Sequence, residues 1–375
     1  MDRAPTPAFD SLSDAALWFE GWLRRDALPL WSDAGWDPVT AGFREGLWLD
    51  GARYDPRRRA RVQARQIHVF ASAAVDLSAP VLAQSAQLGW VGFVRSHQRS
   101  DGLFASETDP AGAVTDATPR LYEHAFVLLA LAALARLETD GQWSKMAESV
   151  LEALASFRHP PCGFRETGPE QFQANAQMHV LEAALAWEAI APIALWRRLA
   201  DQMAELAMAR FIDAPTGALR EFFDAEWQAR VGEAGLIEPG HQFEWAWLLE
   251  RWGQTRGDDR ACAAARRLFA VGRRGFDPIR NVVVNALWDD LTVRDSGARL
   301  WAQTEHIRAA LQLSETENAL TAASGLAAFL ATSTPGVWHE RMRPDGGFID
   351  EPAPATSLYH LYGAIQALRR ASRGG

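Results

Sequence analysis

Lysine is almost missing from this chain of 375 residues. Lys145 is the only lysine among 38 basic residues, and it lies in a pattern typical of a solvated helix. Schiff-base enzymes, pyridoxal enzymes and Walker-type phosphate loops all need a lysine at the centre of the site. The position of Lys145 therefore argues against these three classes.

Cysteine is scarce too, and long apolar runs are missing. Cys162 and Cys262 cannot form a disulfide framework, and they lack the spacing of metal ligands. The longest apolar run, AFVLLALAALA at 125–135, is about half the length that a membrane-spanning helix needs. The N-terminal stretch MDRAPTPAFD has no apolar signal segment. We therefore expect a cytoplasmic protein that does not bind membranes.

An excess of positive charge is also missing. The net charge is −9, and charges of both signs are dispersed along the chain. Nucleic acid and anionic membrane surfaces are therefore not expected as partners. Hydrophobic content of 48% and charged content of 23% are ordinary for a globular protein. Because no linker interrupts the pattern, we expect one catalytic domain over residues 1–375.

The sequence does contain a repeat of roughly sixty residues. Short motifs in which glycine lies close to an aromatic or apolar residue recur six times, and each precedes a helical apolar pattern. These motifs are AGFREG at 41, DGLFAS at 101, CGFRET at 162, GALREFF at 217, RGFDPI at 274 and GGFIDE at 346. Each following segment has one histidine near its start, and these are His68, His124, His179, His241, His306 and His360.

Six further helical patterns alternate with these segments. They lie near 11–28, 80–97, 142–157, 192–211, 258–273 and 315–331. The pattern predicts twelve helices in six hairpins, with short β-ribbons in the loops at REFFDAEW and NVVVNALW. An open solenoid needs polar capping repeats, but the last segment, SLYHLYGAIQALRR, is as apolar as the others. We therefore predict an all-α fold, an (α/α)6 barrel whose inner ring is formed by the second helix of each hairpin.

Closure of the barrel would bring the N-termini of the inner helices, and the histidines in register, to one mouth. The side chains expected there are Arg65, Tyr122, Glu123, Asn175, Gln177, Glu238, Glu244, Trp245, Trp301, Gln303, Glu305 and Tyr359. Neutral hydrogen-bonding groups beside aromatic faces suit a sugar. A histidine in the first turn of a helix is expected to be neutral, because the helix dipole lowers its pKa. Two such bases would support proton abstraction next to a carbonyl group.

Each histidine also has a structural interpretation. His68 and His306 are interpreted as core residues, and the role of His124 stays open. The histidines in connecting segments are expected at the surface, and these are His97, His159 and His339. The pairs His179/Glu182 and His241/Glu244 have a spacing that occurs in carboxylate-bridged metal sites. Because a third ligand pair is missing from the sequence, we predict no metal.

Five segments of the chain resemble the N-acylglucosamine 2-epimerase superfamily. They are EPGHQFEWAWLL, NAQMHVLEA, RLWAQTEHIRA, ATSLYHLYGAI and RLYEHAFVLLAL, and the resemblance extends from about residue 60 to the end. That superfamily also contains bacterial mannose isomerases and cellobiose 2-epimerases. The resemblance implies an (α/α)6 barrel that acts on a free sugar without a metal or redox cofactor.

The resemblance also implies residue roles. The histidine of the PGH-x-x-E motif, here His241, and that of the C-terminal YH motif, here His360, would transfer protons. Arg65 matches an arginine that contacts sugar hydroxyls, and Glu244 matches the acid that steadies the neighbouring histidine. The HMH motif of the family appears here as QMH, so its first histidine is replaced by Gln177.

We therefore hypothesise an aldose–ketose isomerase that interconverts D-mannose and D-fructose through a cis-enediol. His360 would remove the C2 proton, and His241 would assist ring opening and proton transfer between O1 and O2. Glu238 and Glu244 would orient the imidazoles. The residues expected to bind the sugar are Arg65, Tyr122, Asn175, His179, Glu238, Glu244, Trp301 and Gln303.

Several alternatives stay open at this point. A 2-epimerase acting on cellobiose, mannose or N-acylglucosamine would use the same residues. A glycoside hydrolase would need a carboxylate pair, such as Glu123 with Glu238 or Glu305. A phosphorylated sugar is an open option that Arg165 and Arg220 could serve. A homodimer is possible, since dimers are common among the relatives.

Overall fold

The protein is described by a computed structural model that covers residues 7–139, 141–232 and 235–373. The first six residues of the N-terminal stretch, part of the segment on which the lack of a signal was predicted, lie outside these ranges. Among the described helices, none is long and apolar enough to cross a membrane. Lys145 is exposed on an outer helix, as its pattern predicted.

Six helices carry the in-register histidines and form the inner ring. They are α3 (Ala60–Asp76), α5 (Leu121–Leu137), α7 (Ala174–Ile190), α9 (Pro239–Arg256), α11 (Leu300–Gln312) and α13 (Ser357–Arg373). Each of these helices contacts the next, and α13 contacts α3. The ring is therefore closed, and the predicted all-α (α/α)6 barrel is confirmed.

The outer ring is built from the remaining helices. They are α1 (Leu12–Trp22), α2 (Leu28–Asp33), α4 (Val81–His97), α6 (Gln142–Ala153), α8 (Ala194–Leu206), α10 (Asp259–Arg274) and α12 (Thr316–Phe329). A π-helical turn, Leu23–Ala27, joins α1 and α2 into one segment. A 3₁₀ turn, Leu154–Phe157, extends α6, and a second π turn, Ala207–Phe211, extends α8. The described residues thus form twelve helical segments, as predicted.

The order within each hairpin differs from the prediction. Each inner helix packs on the outer helix that follows it, as α3 does on α4 and α9 on α10. The connections from inner to outer helices are short, such as 191–193 and 257–258, whereas the loops that return to the inner ring are long. The inner helix is therefore the first member of a hairpin, and α1 packs on α13 to complete the outer ring.

Local sequence explains where these helices begin and end. In α9, Pro239 occupies the first turn, where its missing N–H costs nothing. Gly257 ends α9 in the left-handed region, at φ 66°. The carboxylate of Asp258 then accepts hydrogen bonds from the N–H groups of Arg260 and Ala261 and caps α10.

The strands are short antiparallel pairs in the long loops. They are β1 (Trp36–Asp37), β2 (Gly42–Phe43), β3 (Gly46–Leu47), β4 (Arg53–Tyr54), β5 (Arg58–Arg59), β6 (Glu107–Thr108), β7 (Val114–Asp116), β8 (Phe276–Asp277), β9 (Val282–Val283), β10 (Ala286–Leu287), β11 (Val293–Asp295), β12 (Ala298–Arg299), β13 (Arg341–Met342) and β14 (Ala353–Pro354). The predicted ribbon at NVVVNALW contains β9 and β10, while REFFDAEW forms isolated bridges. β3 lies in the loop before α3, and β14 lies in the loop before α13. Their pairing therefore brings the first and last of these loops into contact.

The repeated glycine-containing motifs are held by glutamines of the inner ring. The fourth residue of α3, α7, α9 and α11 is a glutamine. Its side-chain amide forms hydrogen bonds with both the N–H and the C=O of one loop residue, at 2.7–3.1 Å. The four pairs are Gln63/Phe43, Gln177/Phe164, Gln242/Leu219 and Gln303/Val283. In α5 the fourth residue is His124, whose Nε2 accepts from the N–H of Phe104 at 2.9 Å. These contacts fix the loops that form the mouth of the barrel.

Candidate active site

A cavity of about 180 Å³ lies at the N-terminal ends of the inner helices. This is smaller than the roughly 300–1,000 Å³ of a typical drug-sized site, so it suits a small molecule. Its lining includes nine of the ten residues predicted for the site: Arg65, Tyr122, Asn175, His179, Glu238, His241, Glu244, Trp301 and His360. Arg299, Thr356 and Ser357 complete the wall.

Gln303 does not belong to this cavity, so its predicted role in sugar binding is wrong. Its Oε1 accepts from the N–H of Val283, and its Nε2 donates to the carbonyl oxygens of Val283 and Arg299. The side chain is buried, and its hydrogen bonds within the protein hold a loop. Gln177 is bound to the backbone of Phe164 in the same way.

Three histidines line the cavity, and two of them, His241 and His360, have a carboxylate oxygen 2.8 Å from Nδ1. Nδ1 of His241 lies 2.8 Å from Oε2 of Glu221 and 3.4 Å from Oε2 of Glu238. Nδ1 of His360 lies 2.8 Å from Oε1 of Glu305. The Trp301 ring neighbours both imidazoles, with centroid distances of 5.0 Å to His241 and 5.9 Å to His360.

The two histidines have opposite pKa shifts. Burial works to lower the pKa of His241, but the charges of Glu221 and then Glu238 outweigh it and raise that pKa to about 10. For His360, burial dominates over the hydrogen bond to Glu305, and the pKa falls to about 4. At neutral pH the cavity therefore holds an imidazolium at His241 and a neutral imidazole at His360. The predicted neutral form is wrong for His241, because two carboxylates outweigh the helix dipole.

Glu221 was missed in the sequence, although a signal for it existed. The loop motifs GFREG, CGFRET and GALREFF place an Arg-Glu pair directly after the residue that the glutamine holds. The acid therefore points back toward the start of an inner helix. Glu166, for example, accepts hydrogen bonds from the N–H groups of Leu121 and Tyr122 at 2.8 Å each. Glu221 occupies the same place in its own repeat and contacts His241 instead.

Glu244 lines the cavity but does not orient His241. Its Oε1 lies 3.8 Å from Nδ1 of His179 and has no hydrogen-bond partner among the described residues. Burial, and then the charges of Glu305 and Glu182, hold the pKa of Glu244 well above its usual range. The predicted orienting role therefore falls to Glu221 and Glu305, with Glu238 as a second carboxylate beside His241.

Arg308, a second residue that the sequence did not reveal, lies beneath the cavity. Its guanidinium contacts Glu305 at 3.2 Å and Glu182 at 3.3 Å, and it stacks 3.8 Å from the centre of the Trp247 ring. Glu182 also accepts a hydrogen bond from the Tyr359 hydroxyl. Arg308 therefore neutralises part of the negative charge behind His360.

Among the residues that the structure describes, two groups of side chains could hold a metal ion: His179 with Glu182 and Glu244, and Glu244 with Glu305 and His360. Apart from Glu244, which belongs to both groups, the residues of these groups already have partners. Arg308 pairs with Glu182 and Glu305, and Nδ1 of His179 lies 3.3 Å from Glu182. These side chains therefore form a network of ion pairs and hydrogen bonds. The predicted lack of a metal stays a prediction.

Three buried polar atoms of the cavity wall have no partner within the described part of the chain. They are Nε of Arg65, Oδ1 of Asn175 and Oε1 of Glu244. Arg65 is 4% exposed, and within the described chain its guanidinium bonds only neutral groups, on Thr356 and Tyr122. Buried polar atoms are rarely left unsatisfied unless a ligand or water binds them. A ligand with several hydroxyl groups would supply the missing partners.

The other repeat histidines lie away from the cavity. His306 is fully buried and stacks on Phe243, with 4.5 Å between ring centroids, as the core interpretation predicted. His124 holds the loop at Phe104. His68 lines a separate cavity at the opposite end of the barrel. Their positions along the inner helices turn these rings away from the cavity at the mouth.

Several further expectations are corrected. Trp245 is fully buried against Phe211 and is not a wall of the cavity. His97 is buried, and its Nε2 lies 3.2 Å from the carbonyl oxygen of Arg58, so it is not a surface residue. Glu123 is buried in an ion pair with Arg61 outside the cavity, which removes it from any hydrolase pair.

The two arginines that were proposed to bind a phosphate do not line the cavity. Arg165 is exposed, and Arg220 pairs with Asp289 and Asp213. An outer cavity of about 450 Å³ adjoins the mouth instead, and we call it the vestibule. Five arginines line it: Arg59, Arg61, Arg65, Arg120 and Arg299. Of these, Arg65 bonds neutral groups, and Arg299 lies 3.7 Å from Glu340, whose pKa is raised by burial to about 7.

Comparison with known proteins identifies the family. The model of the N-acylglucosamine 2-epimerase (GlcNAc 2-epimerase) family matches residues 42–364. Mannose-6-phosphate isomerase from Rhizobium meliloti (strain 1021) is 41% identical over 370 residues, covering 93% of this chain and 95% of that protein.

Solved structures share the fold. A crystal structure of D-mannose isomerase superposes with a TM-score of 0.87 at 21% identity, covering 97% of this chain and 99% of that one. Cellobiose 2-epimerase from Spirochaeta thermophila DSM 6192 gives a TM-score of 0.85 at 19% identity, with 96% and 98% covered. Both are barrels of the architecture described above.

Proposed function

The chain belongs to the N-acylglucosamine 2-epimerase family and is a sugar isomerase or epimerase, and on that premise we propose that it interconverts D-mannose and D-fructose. The observation that carries the proposal is the pair of histidines at one small cavity, one protonated and one neutral. Isomerisation needs both forms, since a base must take the C2 proton while an acid protonates the carbonyl oxygen.

The steps use atoms of this site. His241 donates a proton to the ring oxygen as the sugar opens to the aldehyde, and it regains one from O1. Nδ1–H of His360 donates to Glu305, so Nε2 is free to take the proton from C2. His241 protonates O1 at the same time, and a cis-enediol results. His241 then takes the proton from O2, His360 returns its proton to C1, and the ketose forms with no net gain or loss of protons.

Substrate binding uses the atoms that lack partners in the protein. The open-chain hydroxyls would accept from Arg65 and donate to Asn175 and Glu244. Trp301, which neighbours both imidazoles, offers a flat face for the C–H groups of the sugar. His179, Tyr122 and Glu238 complete the contacts that the proposal assigns to the substrate.

Incubation of mannose in heavy water, followed by proton NMR, tests the reaction. Fructose as the product supports the isomerase, and glucose without fructose supports a 2-epimerase. We expect His241→Asn and His360→Asn each to lower kcat about 10²–10⁴-fold. Near-native turnover by His360→Asn on every sugar tried would refute its role as the base. Dialysis against a chelator should leave activity unchanged, because no step uses a metal.

A second candidate substrate is mannose 6-phosphate, and the arginine-lined vestibule favours it. A phosphate at C6 would extend outward from the reacting carbons toward these arginines, and the relative from Rhizobium meliloti carries that name. The ratio of kcat/KM for mannose 6-phosphate to that for mannose decides between the two. Arg299→Gln should lower this ratio if the vestibule binds phosphate, while Arg198→Gln, an exposed outer-helix control, should leave it unchanged.

A further inference from the structure

A second large cavity lies at the end of the barrel opposite the mouth. Its volume is about 410 Å³, and it is enclosed by the C-terminal halves of the inner helices. One wall is apolar, with Leu129, Ala186 and Ile190, and the rest is rich in arginine. Nothing in the proposed reaction uses this cavity, which we call the back cavity.

Positive charge exceeds negative charge in the back cavity. Four arginines line it, Arg136, Arg251, Arg308 and Arg370, against two carboxylates, Asp76 and Glu182. Arg136 forms an ion pair with Asp76 at 2.6 Å, and Arg308 forms ion pairs with both Glu182 and Glu305. His68, which also lines the cavity, is neutral, because burial lowers its pKa to about 4.

The remaining two arginines lack acidic partners. Arg251 is half-buried and donates one hydrogen bond, at 3.4 Å, to the carbonyl oxygen of Leu185. Arg370 forms no ion pair with any residue that the structure describes. Burial lowers the pKa of Arg251, and the more distant charges of Glu182 and Glu188 offset this effect in part. Neither arginine is therefore held by a direct ion pair within the described chain, which leaves both guanidinium groups available to an anion.

The helix dipole explains only part of this cluster. Basic residues are favoured in the last turn of a helix, where Arg136 and Arg370 lie. Arg251 and Arg308 lie more than one turn before the ends of α9 and α11, and the dipole effect falls off within that turn. A second observation points to a ligand: Gln366 lines the cavity, and its Nε2 is buried and has no partner among the described residues.

We propose that the back cavity binds the phosphate group of a small molecule between Arg251, Arg308 and Arg370, with Gln366 as a further donor. Guanidinium groups suit phosphate because they offer paired N–H donors in a fixed plane. The apolar wall would contact the rest of an organic phosphate, while inorganic phosphate would use the arginines alone.

Binding there would act on the catalytic centre through Arg308. This arginine reaches Glu305, which in turn holds Nδ1 of His360. A phosphate that draws Arg308 away leaves more negative charge on Glu305. That charge stabilises the protonated form of His360, so the acid limb of the pH profile should move to higher pH.

Calorimetric titration with inorganic phosphate tests the site independently of the isomerase reaction. We expect wild-type protein to bind phosphate and the variants Arg251→Gln and Arg370→Glu to lose about tenfold or more in affinity, because each loses a charge-assisted hydrogen bond. Arg198→Gln is the control on an exposed outer helix. Arg370 is exposed, so its variant should fold even if Arg251→Gln does not.

Phosphate could also bind the vestibule, and a crossed variant separates the two sites. Arg299→Gln should leave the back-cavity affinity unchanged, while Arg251→Gln and Arg370→Glu should each lower it about tenfold or more. Lack of binding by the wild-type protein would refute the proposal. Equal affinity in wild type and Arg370→Glu, with loss in Arg299→Gln, would place the phosphate at the mouth and also refute it.

Discussion

At the scale of single residues, two hydrogen bonds of equal length produce opposite charge states. Each imidazole has its Nδ1 2.8 Å from a carboxylate oxygen. His241 has a second carboxylate, Glu238, at 3.4 Å, and no arginine shares Glu221 within the described chain. Behind His360, Glu305 is shared with Arg308. The other charged groups around each carboxylate therefore decide how strongly that carboxylate stabilises the protonated imidazole.

The first prediction concerns the pH profile of kcat/KM. His360 must be neutral and His241 protonated in the free enzyme. Activity should therefore fall below about pH 4, as His360 gains a proton, and above about pH 10, as His241 loses one. A profile measured in buffers of constant ionic strength should be flat in between. A profile with a single optimum near pH 6.5, the unperturbed histidine value, would contradict these charge states.

The second prediction isolates Glu221. Replacement by glutamine keeps a hydrogen-bond partner but removes the negative charge that contributes most to raising the pKa of His241. The alkaline limb of kcat/KM should then move to lower pH, and the acid limb should stay in place. Glu226→Gln, in an exposed part of the same loop, is the matched control. An unchanged alkaline limb in Glu221→Gln would show that Glu221 does not set the charge of His241.

At the scale of the element, position within the first two turns decides whether a side chain reaches the cavity. The second residues of α5, α7 and α11 line it, and so do the sixth residues of α3, α7 and α9. Residues four apart share a helical face. In α3, α5, α7, α9 and α11 the fourth residue lies about 200° around the helix from the second and faces the loop instead. This is why Gln303 holds Val283. The last helix, α13, differs, since its fourth residue, His360, lines the cavity.

The glutamines were visible in the sequence, but their role was not. Gln177 and Gln303 lie among the residues of the mouth when the chain is read by repeat alone. Helix boundaries are needed to tell the fourth position from the sixth, and boundaries are the least certain feature of a sequence pattern. Arg65, His179 and Glu244 were predicted at the mouth from the repeat and from the resemblance, and in the structure each is the sixth residue of its helix.

The third prediction tests this structural role. Gln303→Leu removes three hydrogen bonds, two of them to the N–H and C=O of Val283, which lose this partner. The free energy of unfolding should fall by about 2–4 kcal/mol, since each buried unsatisfied group costs roughly 1–3 kcal/mol. Urea denaturation measures this change, and Gln254→Leu, exposed on α9, should change it by less than about 0.5 kcal/mol. A large rise in KM with unchanged stability would instead restore the sugar-binding role.

At the scale of the whole molecule, repetition made the barrel predictable, but it did not reveal the long-range partners. The last of the six repeats is as apolar as the others, so it must be covered by another repeat. Closure of the ring buries it against the first repeat. The partner of the first outer helix could not be deduced in this way, because α1 packs on α13 at the other end of the chain. Arg308 was missed for a similar reason, since Glu182 comes from a distant repeat.

The contact between the chain ends depends on a few buried residues. Trp31, in α2, is 1% exposed and stacks on Trp338, with 4.8 Å between ring centroids. Its indole N–H donates to the carbonyl oxygen of Gly336 at 3.0 Å. Arg369 of α13 also pairs with Glu20 of α1 at 2.8 Å. The N-terminal segment is thus fixed to the last repeat by packing and by polar contacts.

The fourth prediction is that Trp31→Ala destabilises the entire barrel. Removal of the indole leaves a cavity and an unpaired carbonyl oxygen at Gly336, which should cost about 3–5 kcal/mol. If residues 1–375 form one domain, thermal unfolding followed by circular dichroism should show a single transition at lower temperature, and activity should be lost in that transition. Leu17→Ala, at a position that is 72% exposed, should leave it unchanged. Two separate transitions in Trp31→Ala would contradict the single domain, because the last repeat would then unfold while the remaining helices stayed packed.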